Sequence, residues 1–313
     1  MIPIGTHSLW TSLSGPEPPL SGERVDPLVV IIPGGGDVAS SYVALERLLR
    51  PHARILLYDR TGLGRSERSS PDAVADTGPT AVRAATELHT LLHTLHERGP
   101  YVLLAHSYGG IVAREFLHLH PGDVAGMVLV DCATERSAEL LTFPDPNVVA
   151  VMGDLSFARM TGLRADAVLS DGEWRVRARD IYAGAEAAAV EAGSFVEVCS
   201  TLREKEQISK QVLGKRPLVV VRANGVRDYE RVYEAGVKAG NGTGEQQRAF
   251  RDLLDRWEGI DAEVQEGQLG LSRVSRYVRL EDVGHNVHLV RPEAIVDAVR
   301  WVKERVVVAS ICR

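Results

Sequence analysis

A serine set between small residues at the end of an apolar run is the part of this sequence best suited to chemistry. In Tyr101-Val-Leu-Leu-Ala-His-Ser-Tyr-Gly-Gly-Ile-Val-Ala-Arg-Glu115 a strand pattern runs through Ser107 directly into a helical one. Ala105 and Gly109, two residues before and after the serine, permit the sharp strand-to-helix turn that exposes a nucleophilic hydroxyl. The same turn would set the amide of Tyr108 at a helix N-terminus, where an N–H can face a developing oxyanion. Such an arrangement suits attack of the Ser107 hydroxyl on an acyl carbon.

Other groupings carry less. His89, His93 and His96 fall at i, i+4 and i+7 on one face of a predicted helix. No acidic or cysteine partner is evident for them, so a solvated polar face is expected rather than a metal site. His118 and His120 close a helix before Pro121, where they complement its dipole. Gly34-Gly-Gly36 lacks the Gly-Lys-Ser/Thr that would follow in a phosphate loop.

Positioning Ser107 requires a sheet. Short apolar runs recur at 27–33, 53–58, 101–105, 125–131 and 217–222. Fully apolar strands of this kind suit a parallel sheet covered on both faces. Helical patterns alternate with them. Residues 80–97 place Val82, Ala85, Leu88, Leu92 and Leu95 on one stripe before Arg98-Gly99-Pro100, and 110–120 stops at Pro121. After Pro292, the residues Ile295, Val296, Val299, Val302 and Val306 form a last buried stripe. The Pro/Gly/Ser-rich stretch 13–27 reads as a surface loop. From Phe143 to Lys215 the strand rhythm gives way to Ala-rich and charged helical patterns, notably 172–189 and 191–211. An insertion between two strands of one sheet would lie over the carboxyl edge, where open α/β sheets bind ligands, and would act as a cap.

Composition narrows the partners. The 313 residues carry 36 basic and 42 acidic side chains, a net charge of −6, with the basic ones dispersed. Nothing resembles a nucleic-acid footprint, and a neutral or weakly charged small molecule is the expected partner. No apolar run reaches the ~20 residues needed to cross a bilayer, and the first residues lack the pattern of a signal peptide, so the expected address is the cytosol. Cys132, Cys199 and Cys312 have no metal-ligand spacing and are expected as free thiols.

At Ala105-His-Ser-Tyr-Gly109 the chain resembles the α/β-hydrolase family, and the resemblance extends over nearly all of it. It implies a mostly parallel central sheet flanked by helices, with residues 1–142 and 214–313 as the core and 143–213 as a helical cap. Pro33-Gly34-Gly35-Gly36 follows the first apolar strand, where that family has a His-Gly turn supplying the second oxyanion donor; by position this is the amide of Gly35. Proline stands here in place of the family's histidine. Asp59-Arg-Thr-Gly-Leu-Gly-Arg-Ser66 looks like the family's Asp-Arg-x-Gly-x-Gly-x-Ser loop, with a structural task. Gly284-His285, after a strand and before the last helix, stands where the family keeps its catalytic histidine, and His288 is the neighbouring rival.

Two carboxylates compete to orient His285. Asp131 ends the strand after the nucleophile helix, a position used by the pancreatic-lipase type. Asp228 follows the strand 217–222, the commoner position, but in a longer loop. Asp131 is the first choice and Asp228 the alternative. Gly34, Gly36, His106, Trp174, Phe195 and His288 are the expected pocket residues, with His106 moving no proton.

The resemblance implies a cofactor-independent serine hydrolase without a metal, acting on an ester, thioester or lactone of a small apolar metabolite, and nearest in pattern to hydrolases of fungal secondary metabolism. A homodimer is compatible with it. A cyclase, lyase or carbon–carbon hydrolase on the same scaffold, or a binding protein without turnover, are the alternatives, because one fold hosts many functions.

Overall fold

The computed structural model describes residues 1–17, 26–69, 80–140, 142 and 144–311. Its centre is a sheet of seven strands: β1 Thr11–Ser14, β2 Val29–Ile32, β3 Ile55–Tyr58, β4 Tyr101–His106, β5 Val124–Val130, β6 Leu218–Arg222 and β7 Ser275–Arg279. They lie in the order β1-β3-β2-β4-β5-β6-β7. Only β1, on the edge, runs antiparallel to its neighbour β3. This strand corrects one expectation, since the loop read from Leu13 begins inside it: Leu13 and Ser14 pair with Leu56 and Ile55. Residues 18–25 of that loop lie outside the described residues.

The apolar runs become strands because both faces of the sheet are covered. Every residue of β2 to β6 is buried. Alternate side chains point to opposite faces of a strand, and the core divides accordingly. Val30, Ile32, Leu103, Ala105, Met127 and Leu129 join one cluster with helices α2 (Thr80–Thr94) and α3 (Gly109–Leu119). Val29, Ile31, Val102, Leu104, Val128 and Val130 join the other with α1 (Val43–Leu49) and the last helix, Pro292–Ile311, where Ile295, Val299 and Val302 are buried. Helix α2 stops at Thr94, short of the expected 97. His96 beyond it takes a left-handed φ of 56° that cannot continue a helix.

Between β5 and β6 the chain leaves the sheet for a helical insertion that includes α4 (Pro146–Met152), α5 (Asp171–Ala183), α6 (Ala185–Gly193) and α7 (Phe195–Arg203). The two helical stretches expected here are thus divided at Gly184 and Ser194. A second helical pair, α8 (Gly225–Lys238) and α9 (Gly244–Gly267), lies between β6 and β7. Val148, Val151, Val232, Phe250 and Leu254 join α4 to this pair in a core of their own. Pro292–Ile311 is α10.

Cys132 and Cys199 are free and buried, whereas Cys312 lies outside the described residues. Among the described residues, no helix is long and apolar enough to cross a membrane.

Candidate active site

Three adjacent strand ends and one loop assemble the site. Ser107 follows β4 with φ +53°, and Asp131 follows the neighbouring β5 with φ +47°. Both are non-glycine residues in the left-handed region, a conformation that recurs where function requires strain. The Ser107 N–H still donates to Val130, at 3.1 Å, and that of Asp131 to Val221, at 2.7 Å. The turn after Ser107 needs its glycine: a Cβ on Gly109 would fall 2.3 Å from the carbonyl oxygen of Ile32. Ser107, Asp131 and His285 all line one cavity of about 510 Å³, within the usual range for small-molecule sites.

Nδ1 of His285 donates to Oδ2 of Asp131 at 2.6 Å, while Oδ1 of Asp131 accepts the amide of Ala223 at 2.9 Å. The carboxylate is therefore held from two sides, and the ring keeps its Nε2 as the free basic nitrogen. Burial alone would lower the His285 pKa. The hydrogen bond and negative charge of Asp131 more than offset it, so the group lies above the ordinary histidine value. Asp228 sits elsewhere. Its carboxylate lies against the backbone of Gly284, where an added Cβ would meet Oδ2 at 1.9 Å, and burial raises its pKa.

The Gly turn is anchored almost everywhere. The amide of Gly34 donates to the Tyr42 hydroxyl (3.1 Å), that of Gly36 to Oε2 of Glu191 (2.7 Å), and that of Asp37 to the Gly34 carbonyl (3.1 Å). Among the described residues the amides of Gly35 and Tyr108 have no protein acceptor. A Cβ on Gly35 would lie 3.3 Å from that of Tyr108, so the two uncommitted donors border the same opening.

Of the expected pocket residues, Gly36 and Phe195 line the cavity. Four others do not. A Cβ on Gly34 would meet the buried His106 ring, 3.1 Å from its Nδ1. His106 is buried beneath the turn, its Nε2 on the carbonyl of His285 (2.9 Å) and its Nδ1 on the Tyr42 hydroxyl (3.1 Å). Because a carbonyl only accepts, Nε2 carries the proton and Nδ1 accepts from Tyr42. Burial first, and the adjacent His288 and His285 next, push the His106 pKa well down, consistent with a neutral ring. His288 is fully buried, stacked on Tyr42 with ring centroids 4.3 Å apart, its Nε2 3.3 Å from Asp37. Trp174 packs away from the cavity with Leu163, Leu169 and Leu289, and two guanidinium groups, of Arg164 and Arg177, flank its ring. A large aromatic on a helix satisfies its burial wherever an apolar surface meets it.

Asp59 accepts the amides of Ala39 (2.7 Å) and Arg65 (3.0 Å), so it braces its own loop and ties it to the segment after β2. Further side chains also shape the site. Trp257 and Tyr229, stacked at 4.8 Å, wall the cavity with Phe157 and Phe195. Asp261, beside them, is paired with Arg222 and is pushed up to about 6 by burial and then by the charge of Asp131. Nothing in the local pattern of α9 distinguishes Asp261 from its other surface acids.

Metal ligation is poorly served. Asp37, His106 and His288 bring ligand atoms together, but both nitrogens of His106 are committed. His89 meets His120 and Asp123 rather than His93 and His96. The His89 and His120 rings lie stacked at 3.6 Å and 5°, and parallel planes cannot both aim in-plane lone pairs at one ion.

Residues 29–298 match the family profile described as "Alpha/beta hydrolase family". A protein of Hormonema carpetanum named "Probable transporter efuK" is 29% identical over 312 residues, covering 97% of this chain. The chain spans only 42% of that relative's length. An "AB hydrolase superfamily protein" of Gibberella zeae is 29% identical over 307 residues, 94% of this chain and 90% of the relative. Among solved structures, Est816, described as an N-acyl homoserine lactone degrading enzyme, is similar with a TM-score of 0.52 at 16% identity, covering 96% of this chain and 98% of that one.

Proposed function

Because the chain belongs to the α/β-hydrolase family, we propose that it is a serine hydrolase that cleaves an ester, thioester or lactone of a small, largely apolar molecule without a cofactor. One observation carries this reading: Ser107, at its left-handed turn, shares a cavity with His285, whose Nδ1 is bonded to Asp131. His285 Nε2 takes the Ser107 proton as Oγ attacks the carbonyl carbon. The amides of Gly35 and Tyr108 hold the oxyanion, and Asp131 stabilises the imidazolium. The proton passes to the leaving oxygen or sulfur, leaving an acyl-serine. Water deprotonated by His285 then releases the acid and restores Ser107.

The aromatic wall of Phe157, Phe195, Tyr229 and Trp257 supports an apolar acyl or alcohol portion, and the lactone named for Est816 falls within the proposed substrate class. The helical insertion, residues 143–213 in the domain division, serves in this reading as the cap.

A fluorophosphonate probe followed by peptide mass spectrometry tests the reaction class. Stoichiometric labelling at Ser107, lost in Ser107→Ala, is expected. Turnover of an ester or lactone panel in ¹⁸O-water should place one heavy oxygen in the acid. A folded protein that never labels, or products without ¹⁸O, would overturn hydrolysis.

A further inference from the structure

The Gly turn and the helical insertion meet through a buried ion pair far apart in sequence. Arg60 is 3% exposed and uses its whole fork. Nε and Nη2 donate to the two oxygens of Glu191 at 2.6 and 2.9 Å, while Nη1 and Nη2 donate to the carbonyls of Pro33 and Gly34, both at 2.6 Å. Glu191, on α6, uses Oε2 a second time to accept the amide of Gly36 at 2.7 Å. The turn is therefore gripped on both sides of Gly35, by its preceding carbonyls and its following amide. The amide is held by Glu191 itself, and the carbonyls by Arg60, whose guanidinium Glu191 holds in place.

Burying two charges is expensive, and an apolar pair would often be as stable, so the fork contributes geometry more than stability. Gly36 has φ +63°, and a Cβ there would fall 2.7 Å from that of Ala188, one turn before Glu191. Helix α6 thus presses on the turn at the point where its carboxylate holds it. A carboxylate this near a developing oxyanion is tolerable because Arg60 neutralises it.

We propose that Glu191, through Arg60 and the Gly36 amide, is a positioning residue that fixes the Gly35 N–H for the oxyanion, so that the donor is in place only while α6 is docked. This rests on the serine-hydrolase reading. Substrate entry that lifts α6 would release the turn, and its return would restore it.

Glu191→Ala and Glu191→Gln provide the test, with folding checked by circular dichroism. An active-site group misplaced by about 1 Å loses roughly 100-fold in rate. The expected result is a fall of about 10- to 100-fold in kcat for p-nitrophenyl butyrate, with KM changed less than about threefold. Added formate should partly restore kcat in Glu191→Ala by returning a carboxylate to the space. Independently of activity, hydrogen exchange at the Gly36 amide should accelerate in both variants. A folded variant with wild-type kcat overturns the proposal, as does unchanged Gly36 exchange. If Glu191→Ala fails to fold, Glu191→Gln decides alone. If the wild type neither labels with fluorophosphonate nor hydrolyses esters, the hydrolase reading fails, and Gly36 exchange still decides whether Glu191 holds the turn.

Discussion

The imidazole of His285 is bonded through Nδ1 to Asp131, 154 residues earlier, at 2.6 Å. Asp131 reaches it from the end of β5 in a left-handed conformation, with its other oxygen tied to the amide of Ala223. Asp228, the other candidate, lies against the backbone of the same loop, at Gly284 and His285.

Asp131→Asn should therefore abolish most turnover and Asp228→Asn should not. An asparagine leaves the geometry but favours the wrong tautomer, which costs about 10⁴-fold in a Ser-His-Asp site. Asp228→Asn is expected to change kcat less than about tenfold, since it touches no ring nitrogen. Steady-state kinetics of the two variants decide this, and the reverse ranking would reassign the acid.

The pH profile should report the same pair. A general base acts when neutral, so kcat/KM rises with pH through the His285 pKa. Asp131 holds that pKa above the ordinary value of 6.5, and the acid limb is expected above it in the wild type. Replacing Asp131 by Asn leaves burial dominant, which moves the residual activity's midpoint downward. A midpoint unmoved by the substitution would point to a different base.

Selectivity for apolar groups should depend on the stacked pair Tyr229 and Trp257. Trp257→Ala removes one ring and its burial, an effect of roughly 1.4 kcal/mol or about tenfold in affinity. The KM for a bulky aromatic ester should rise by that factor, with that of an acetate ester nearly unchanged. Equal effects on both would place Trp257 outside the substrate's reach.

Stability should be most sensitive at Arg114 on α3. Its guanidinium is fully buried and bonded to both oxygens of Glu135 and, at 3.0 Å, to Gln207. Arg114→Met would leave Glu135 as a buried, unpaired charge, costing about 3–5 kcal/mol. Urea denaturation measures this directly, and a loss below 1 kcal/mol would mean that Glu135 finds water or Arg203 instead.

The elements that carry the site were legible because their signals are local. Apolar runs become strands wherever both faces are covered, and the small residues around Ser107 are needed where Gly109 approaches the Ile32 carbonyl. Trp174 and Phe195 show the limit of such signals. Both are aromatic residues of the same helical insertion, yet Phe195 lines the cavity while Trp174 packs beside Arg177 against a separate apolar cluster.

By itself, then, the sequence determined the alternation of strands and helices, the turn at Ser107 and the Gly turn opposite it, all set by sterics and hydrophobic period within a few residues. Tertiary structure alone decided which carboxylate meets His285, and that Arg60 and Glu191, 131 positions apart, close on the Pro33–Gly36 turn. A carboxylate's residue type says that it can accept a hydrogen bond. Which donor it meets depends on how strand ends and helices converge in space, and no local pattern encodes that distance.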